Sequence, residues 1–433
     1  MDREPKLLSG AIRPSSRAMP APTPPAAAAP PPGRLRIAYV TETYPPEING
    51  VAHTVQRAVQ WLCARGHTVQ LVRPRQDCDE NAASVVTPAQ LLTGGMPIPM
   101  YPDLRMGLAR PGLLQAAWRG QPPDLVHVAT EGPLGWAALR AARQVGAPVS
   151  SDFRTNFHLY SAHYGFGLVK PVALAYLRRF HNATQLTTVP TRALRAALQA
   201  AGFRNLAVVG RGVDTALFAP VRRSDALRRA WGAEPGDPVA LYVGRLAPEK
   251  NVALAVAAWK AMQRQNPRVK LVIVGDGPMR TRMARDCPQA VFVGWQRGED
   301  LARCYASGDV FLFPSMTETF GNVVVEALAS GLAVVAFAHG AAAEHVRDER
   351  DGLLARFDDA AHFVQQAQRA AVDGPLRNSI RAGAVKAAQS LSWDVILESL
   401  EQLLLRLART AASSPVSGYA APSVREPSRG SSR

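Results

Sequence analysis

Pro314-Ser315-Met316-Thr317-Glu318-Thr319-Phe320-Gly321-Asn322-Val323-Val324-Val325-Glu326-Ala327-Leu328-Ala329-Ser330-Gly331 follows the apolar run Val310-Phe311-Leu312-Phe313. A short apolar run stopped by a proline reads as a parallel strand covered on both faces. Pro314 ends it, having no N–H to give to a ladder. A loop carrying Glu318 comes next, and Thr319 to Asn322 open a helix. A strand, a turn of small residues and a helix start together present free backbone N–H groups, an arrangement that accepts anions. Glu318 stands just before the helix and Glu326 about one turn inside it, so the two carboxylates lie on one side at different depths. That suits a ligand with two hydroxyl-bearing parts and phosphates between them.

The same alternation of strand, loop and helix extends in both directions. Strands are predicted at 35–41, 69–72, 124–128, 148–152, 185–189 and 206–209, then at 239–243, 269–274, 290–293, 310–313 and 333–336. A helix is predicted from Val51 to about Ala64, with Gly66 as a left-handed cap. This is an α/β pattern of two doubly wound, Rossmann-like domains, with ligands at the carboxyl ends of the strands in a central cleft. Residues 1–33, rich in Pro and Ala, and residues 412–433, rich in Ser, Pro and Arg, read as disordered tails. Residues 34–210 are expected to form the first domain and 211–390 the second. Residues 391–411 form an amphipathic helix, with Ile396, Leu397, Leu400, Leu403, Leu404 and Leu407 on one side, expected to cross back to the first domain.

The chain has 433 residues and a formal net charge of +16, from 50 Lys and Arg against 34 Asp and Glu. Residues 34–210 hold 18 of the basic and 9 of the acidic residues. Such an excess favours an anionic partner, whether a phosphorylated substrate, anionic lipid or nucleic acid, and a generally arginine-rich composition accounts for it equally well. The basic residues show no interleaved aromatic platform, which argues against nucleic acid. The four cysteines form no C-x-x-C, so neither a zinc site nor a redox pair is expected. Asp77-Cys78-Asp79 reads as a chance D-x-D. No metal and no resident cofactor are expected. The first residues lead into no apolar core, so no signal peptide is expected. The longest apolar stretch, 327–338, is too short to span a bilayer. The expectation is a cytoplasmic protein, held to a membrane only at its surface. Residues 168–181 carry Lys170, Arg178 and Arg179 beside an apolar side, a pattern suited to an anionic inner membrane face.

Several strand ends carry chemistry. Gly244-Arg245-Leu246-Ala247-Pro248-Glu249-Lys250-Asn251 follows the first strand of the second series. Arg245 can grip phosphate with two prongs, and Lys250 acts as a point charge. Gly275-Asp276-Gly277-Pro278 is a tight turn, and Val293 lies in Phe292-Val293-Gly294-Trp295, where a flat base can rest on backbone groups. In the first series, the loop before Val51 holds the single glycine Gly50 instead of G-x-G-x-x-G, which argues against a dinucleotide cofactor and for a looser approach to phosphate. Glu131 stands at a helix start facing the cleft, where it either meets an acceptor or complements the helix dipole.

Together Gly244 to Asn251, Gly275 to Pro278 and the Glu318-x7-Glu326 segment resemble the donor half of retaining, nucleotide-sugar-dependent glycosyltransferases of family 4, which have the GT-B fold. Thr43-Tyr44-Pro45-Pro46, with Asn49-Gly50-Val51, is similar to their first-domain signature. The resemblance covers about 34–410. It is nearest to the subgroup of lipid-directed α-mannosyltransferases and sulfolipid-type sugar transferases. It implies that Arg245 and Lys250 hold the donor diphosphate, that Glu318 accepts from hydroxyls of the transferred sugar, and that backbone N–H groups of Phe320, Gly321 and Asn322 touch sugar and phosphate. Glu326 would bind the ribose, and Gly50 and Gly244 would let the loops approach the donor. The implied reaction is transfer of a hexose, with mannose from GDP-mannose foremost, to a lipid or glycan acceptor, without a metal. A sugar-nucleotide epimerase and a non-catalytic sugar-nucleotide binder are the competing readings. One position departs from the pattern: where many members of the family have a histidine after the strand ending near Asp152, this chain has Arg154. Arginine cannot serve as a base at neutral pH. His158, four residues on, shares its face if the segment is helical. Both are candidates, neither assigned as a base.

Overall fold

Apolar runs of four or five residues alternate with longer amphipathic stretches along the chain, and this alternation lays down two sheets flanked by helices. The computed structural model describes residues 33–47, 49–76, 88–98, 101–154, 169–318 and 320–413. The first series comprises β1 (Arg36–Val40), α1 (Gly50–Ala64), β2 (Thr68–Pro74), β3 (Ala89–Ile98), β4 (Tyr101–Leu108), α2 (Pro111–Arg119), β5 (Leu125–Val128), α3 (Pro133–Val145), β6 (Val149–Asp152), α4 (Val169–His181), β7 (Leu186–Val189), α5 (Arg192–Ala200) and β8 (Leu206–Val208). The second comprises α6 (Asp225–Ala230), β9 (Val239–Val243), α7 (Val252–Gln265), β10 (Lys270–Val274), α8 (Arg280–Asp286), β11 (Val291–Gly294), α9 (Gly298–Ser307), β12 (Val310–Phe313), α10 (Asn322–Ala329), β13 (Ala333–Phe337), α11 (Gly340–His345), β14 (Gly352–Ala355), α12 (Ala360–Val372), α13 (Gly374–Gln389) and α14 (Trp393–Ser413).

The first sheet has the order β4-β3-β2-β1-β5-β6-β7-β8 and the second β11-β10-β9-β12-β13-β14. Every pairing is parallel except β3 with β4. The strand order reverses between β1 and β5 and again between β9 and β12, and loops leaving such switch points diverge to open a crevice. Alternate residues of β9 go to opposite faces: Val239, Leu241 and Val243 meet Val324 and Leu328 of α10, while Ala240 and Tyr242 meet Trp259 of α7 and Phe363 of α12. Burial on both faces is why these strands read as unbroken apolar runs.

β3 and β4 have no counterpart among the predicted strands. They contain Gly94, Gly95, Gly107, Pro97 and Pro102, residues that strands disfavour. Their pairing is an edge hairpin, and Gly107 is seated against Leu134, 2.8 Å from where its Cβ would stand. β14 was likewise missed, a four-residue strand at the other sheet's edge.

α14 follows the second series in sequence but packs on the first sheet. Leu397, Leu400 and Leu404 share one core with Ile37, Tyr39, Val55, Val59, Leu62 and Leu71. Each such leucine contributes about 1.5–3 kcal/mol of burial. Glu401, on the same helix, accepts from Arg65 Nε (3.3 Å) and lies 2.8 Å from His67 Nε2. The two chain crossings between the halves lie side by side: Val213 N donates to Leu391 O (2.8 Å) and Trp393 N to Val213 O (3.2 Å). Gly212 lies so close to Trp393 that a Cβ would come within 2.6 Å of its Cα. Among the described residues no helix is long and apolar enough to cross a membrane, and no three His, Cys, Asp or Glu side chains converge as metal ligands. His158 and the Asp77-Cys78-Asp79 run lie outside the described residues.

Candidate functional site

On the second half the loops after β9, β10 and β12 converge. Gly244 N donates to Val274 O (3.0 Å), and Gly275, at φ +132°, passes so close to Gly244 O that a Cβ would collide with it. The two loops therefore lie one on the other, with Arg245 and Lys250 on the outer one. Arg245 is turned to Glu249 on an exposed turn. Lys250 instead reaches across to the loop after β12, where its Nζ lies 2.5 Å from Glu318 Oε1. Ser315 Oγ donates to the same oxygen at 2.9 Å. Glu318 thus has one oxygen anchored from two sides, and its side chain is only 16% exposed.

Gly321, at φ +96°, turns the chain into α10, whose start has no side-chain cap. The leading N–H groups of an uncapped helix lack intrahelical partners and favour an anion. Phe320 is buried, and its carbonyl is fixed by Ala341 N at 2.7 Å. One turn inside α10, Glu326 Oε2 accepts from the Tyr305 hydroxyl (2.9 Å). Loss of hydration pushes the Glu326 carboxyl up to about 7, against that hydrogen bond. Val293 ends β11 half-buried, with Gln296 Nε2 3.4 Å from its carbonyl. Trp295 beside it is 62% exposed, which removes a core role.

The facing wall comes from the first sheet. Asn49 caps α1, its Oδ1 accepting from Val51 N (3.0 Å) and Ala52 N (2.8 Å), which leaves Gly50 exposed at the helix start. Asp152, at the end of β6, is buried between Arg154, Thr188 and His127, whose Nε2 lies 3.4 Å away. Burial alone would raise the Asp152 carboxyl, but Arg154 and His127 beside it hold it well below the usual carboxylate range. Arg154 is thereby committed to Asp152, with a side chain only 14% exposed. Arg154, Asp152, Thr54, Thr188, Arg211 and Trp393 help to line a small cavity.

Glu131 lies just ahead of α3, half-buried, with its carbonyl accepting from the Tyr176 hydroxyl at 2.6 Å. The carboxylate that engages α3 itself is Glu42, which no sequence signal singled out. Its Oε1 accepts from Leu134 N at 2.9 Å, while its own N–H donates to Thr130 Oγ1. Desolvation pushes the Glu42 carboxyl up to about 7, with the charge of Glu131 adding to the rise. Its partners lie 92 and 88 positions away, so nothing local announces it. Arg211, in the connection between the halves, was also not foreseen.

Residues 48–217 match the family described as Glycosyltransferase Family 4, and residues 237–373 the one described as Glycosyl transferases group 1. The chain is 35% identical over 379 residues to a GDP-mannose-dependent alpha-mannosyltransferase of Mycobacterium tuberculosis, a match covering 84% of this chain and 95% of that protein. It is 30% identical over 372 residues to a sulfoquinovosyl transferase of Arabidopsis thaliana, covering 83% of this chain and 71% of that protein. The fold is shared with sucrose-phosphate synthase from Thermosynechococcus elongatus, at a TM-score of 0.69 and 21% identity, covering 88% of this chain and all of that one. Two Rossmann-like sheets facing a cleft, and likeness along most of the chain, lead to one assignment: the chain belongs to the family 4 glycosyltransferases, enzymes of the GT-B fold.

Proposed function

We propose that this glycosyltransferase moves a hexose, mannose from GDP-mannose, to a lipid or glycan acceptor with retention at the anomeric carbon. The observation that carries the reading is the Lys250–Glu318 pair standing before the uncapped start of α10, with Glu326 one turn further in. As the glycosidic bond to the diphosphate breaks, charge grows on the leaving phosphate and the sugar becomes oxocarbenium-like. Lys250, Arg245 and the backbone N–H groups of Phe320 to Asn322 stabilise the first change, because fixed charges help most where charge develops. Glu318, anchored through one oxygen, accepts from sugar hydroxyls through the other. Glu326 accepts from the ribose, and the exposed Gly50 lets the facing loop approach the phosphates. Gly244 and Val293 contribute backbone to the nucleotide side, and Glu131 belongs to the acceptor side. Arg154 braces the cleft floor through Asp152. The acceptor attacks the face the diphosphate leaves, and a diphosphate oxygen takes the acceptor proton. The mannosyltransferase named above supports the donor assignment.

Thermal melts test the donor. GDP is expected to raise the melting temperature more than UDP or ADP, since a ligand of the native state stabilises it. No shift with any of the three would sink the reading. Glu326 makes the effect depend on pH. An ionised carboxylate is the stronger acceptor, so GDP affinity is expected to rise from pH 6 to pH 8 as Glu326 ionises near about 7. Glu326→Gln should flatten that rise; calorimetric titration at both pH values checks it. The sign for the free protein is opposite. Folded Glu326 keeps its proton up to about 7 against 4.5 when unperturbed, so its contribution to stability falls as pH rises between those values.

The acceptor reading extends to a surface. α4 exposes Val172 (69%) and Tyr176 (42%) one turn apart, and Arg140 and Arg179 line the groove beside Tyr176. This face suits peripheral contact with an anionic membrane. Phosphatidylglycerol vesicles are expected to sediment the protein and phosphatidylcholine vesicles to leave it in solution. Arg140→Glu with Arg179→Glu should weaken that binding by about tenfold or more, at about 1 kcal/mol per basic residue. Equal sedimentation with both lipids would refute the surface.

A further inference from the structure

Arg211 sits in the connection between the halves, flanked by Gly210 and Gly212. Its backbone is clamped, because Gly212 is pressed against Trp393 and Gly210 lies beside Ile396. Its side chain reaches into the cleft and meets both walls. The guanidinium carbon is 6.0 Å from the centre of the Phe320 ring, just ahead of α10. Nη1 lies 3.6 Å from where a Cβ would stand on Gly50, at the start of α1. The side chain also lines that small cavity with Arg154.

Among the described residues no carboxylate pairs directly with Arg211, although the charges of Asp152 and Glu318 act on it. Lys250 is paired with Glu318, Arg245 with Glu249, and Arg154 with Asp152. Among the described residues, none offers the Arg211 guanidinium a hydrogen bond or an ion pair. Burial, with Arg154 close by, pushes it down to about 10, so it remains a cation at neutral pH. The attraction of Asp152 and Glu318 offsets only part of the cost of that burial, and a bound anion in direct contact would offset more. The anion would also meet the uncapped start of α10 through Gly321, opposite the exposed Gly50.

We infer that Arg211 binds the diphosphate of the nucleotide-sugar donor from the connection between the halves, as a cleft cation that, among the described residues, no carboxylate pairs directly. This rests on the reading that the cleft takes a nucleotide sugar. It also places a phosphate contact on the segment that joins the two halves.

Calorimetric titration with GDP and with guanosine tests this on the full chain. Arg211→Gln is expected to raise the GDP Kd by about tenfold or more, the range of a charge-assisted contact, and to leave guanosine binding unchanged. Arg211→Lys should fall between the two and guards against a fold defect in the glutamine variant. GDP affinity unchanged in both variants would overturn the inference. So would parallel loss of guanosine binding, which marks a structural role, or a higher acceptor KM at unchanged GDP affinity, which marks an acceptor contact. A wild-type protein that binds no GDP, UDP or ADP would overturn the donor reading itself.

Discussion

Lys250→Ala is expected to lower kcat about a hundred- to a thousandfold, the loss typical of removing one preorganised charge from a transition state. Two effects combine. The substitution takes a positive charge from the place where the leaving diphosphate gains negative charge. It also removes the 2.5 Å contact that fixes Glu318 Oε1, leaving Ser315 alone to position that carboxylate. Stability should change little, because the pair retains 22% and 16% side-chain exposure and partly exposed pairs are worth about 1 kcal/mol or less. The measurement is donor hydrolysis and transfer under saturating GDP-mannose, with the melting temperature as control. Lys250→Arg should recover part of the rate. A kcat within a few-fold of the wild type, at unchanged stability, would remove Lys250 from the mechanism.

Asp309→Ala is expected to destabilise the protein by about 3–5 kcal/mol, the cost of breaking buried ion pairs from one side. Asp309 sits at the start of β12, 5% exposed, and accepts from Arg223 (2.8 Å), Arg228 (2.9 Å) and Arg381 (3.2 Å) as well as from Val239 N (2.9 Å). Alanine leaves three guanidinium groups and a buried N–H facing one another. The melting temperature should fall by roughly ten degrees. Asp309→Asn keeps part of the hydrogen bonding and should lose less. A fall of under about two degrees for the alanine variant would mean that backbone carbonyls absorb the arginines, as Ser307 O already does for Arg228 at 2.7 Å. Burial would raise the Asp309 carboxyl, yet Arg223 and Arg228 hold it below its ordinary value. Its contribution is therefore present above the ordinary carboxylate range and is lost as pH falls through the lowered value.

What could be read in the amino-acid order follows from how local each cause is. β9, β12 and β13 are covered on both faces, so each is a continuous apolar run, visible without neighbours. β3 and β4 depend on each other and on Leu134, and their glycines and prolines conceal them. The same division runs through the site. Glu318, Phe320 to Asn322 and Glu326 belong to one strand-to-helix passage, so their grouping was legible. Arg154 was legible as a departure from the pattern, and its tie to Asp152 is local, but the tie of Asp152 to His127 depends on β5 and β6 lying side by side. Glu42 and Arg211 act on elements far along the chain, and nothing in their local sequence distinguishes them from any other glutamate or arginine.

The position of α14 bears on how the chain is made. Its leucines complete the core over β1, β2 and α1, yet they are synthesised more than 300 residues after the surface they cover. While the chain leaves the ribosome, the first half exposes the apolar side chains that Leu397, Leu400 and Leu404 will shield. The second half, whose sheet is contained within residues 239–355, has no such wait. The nascent protein therefore carries an unfinished first half until α14 has been made, and that interval is when it depends most on protection from aggregation.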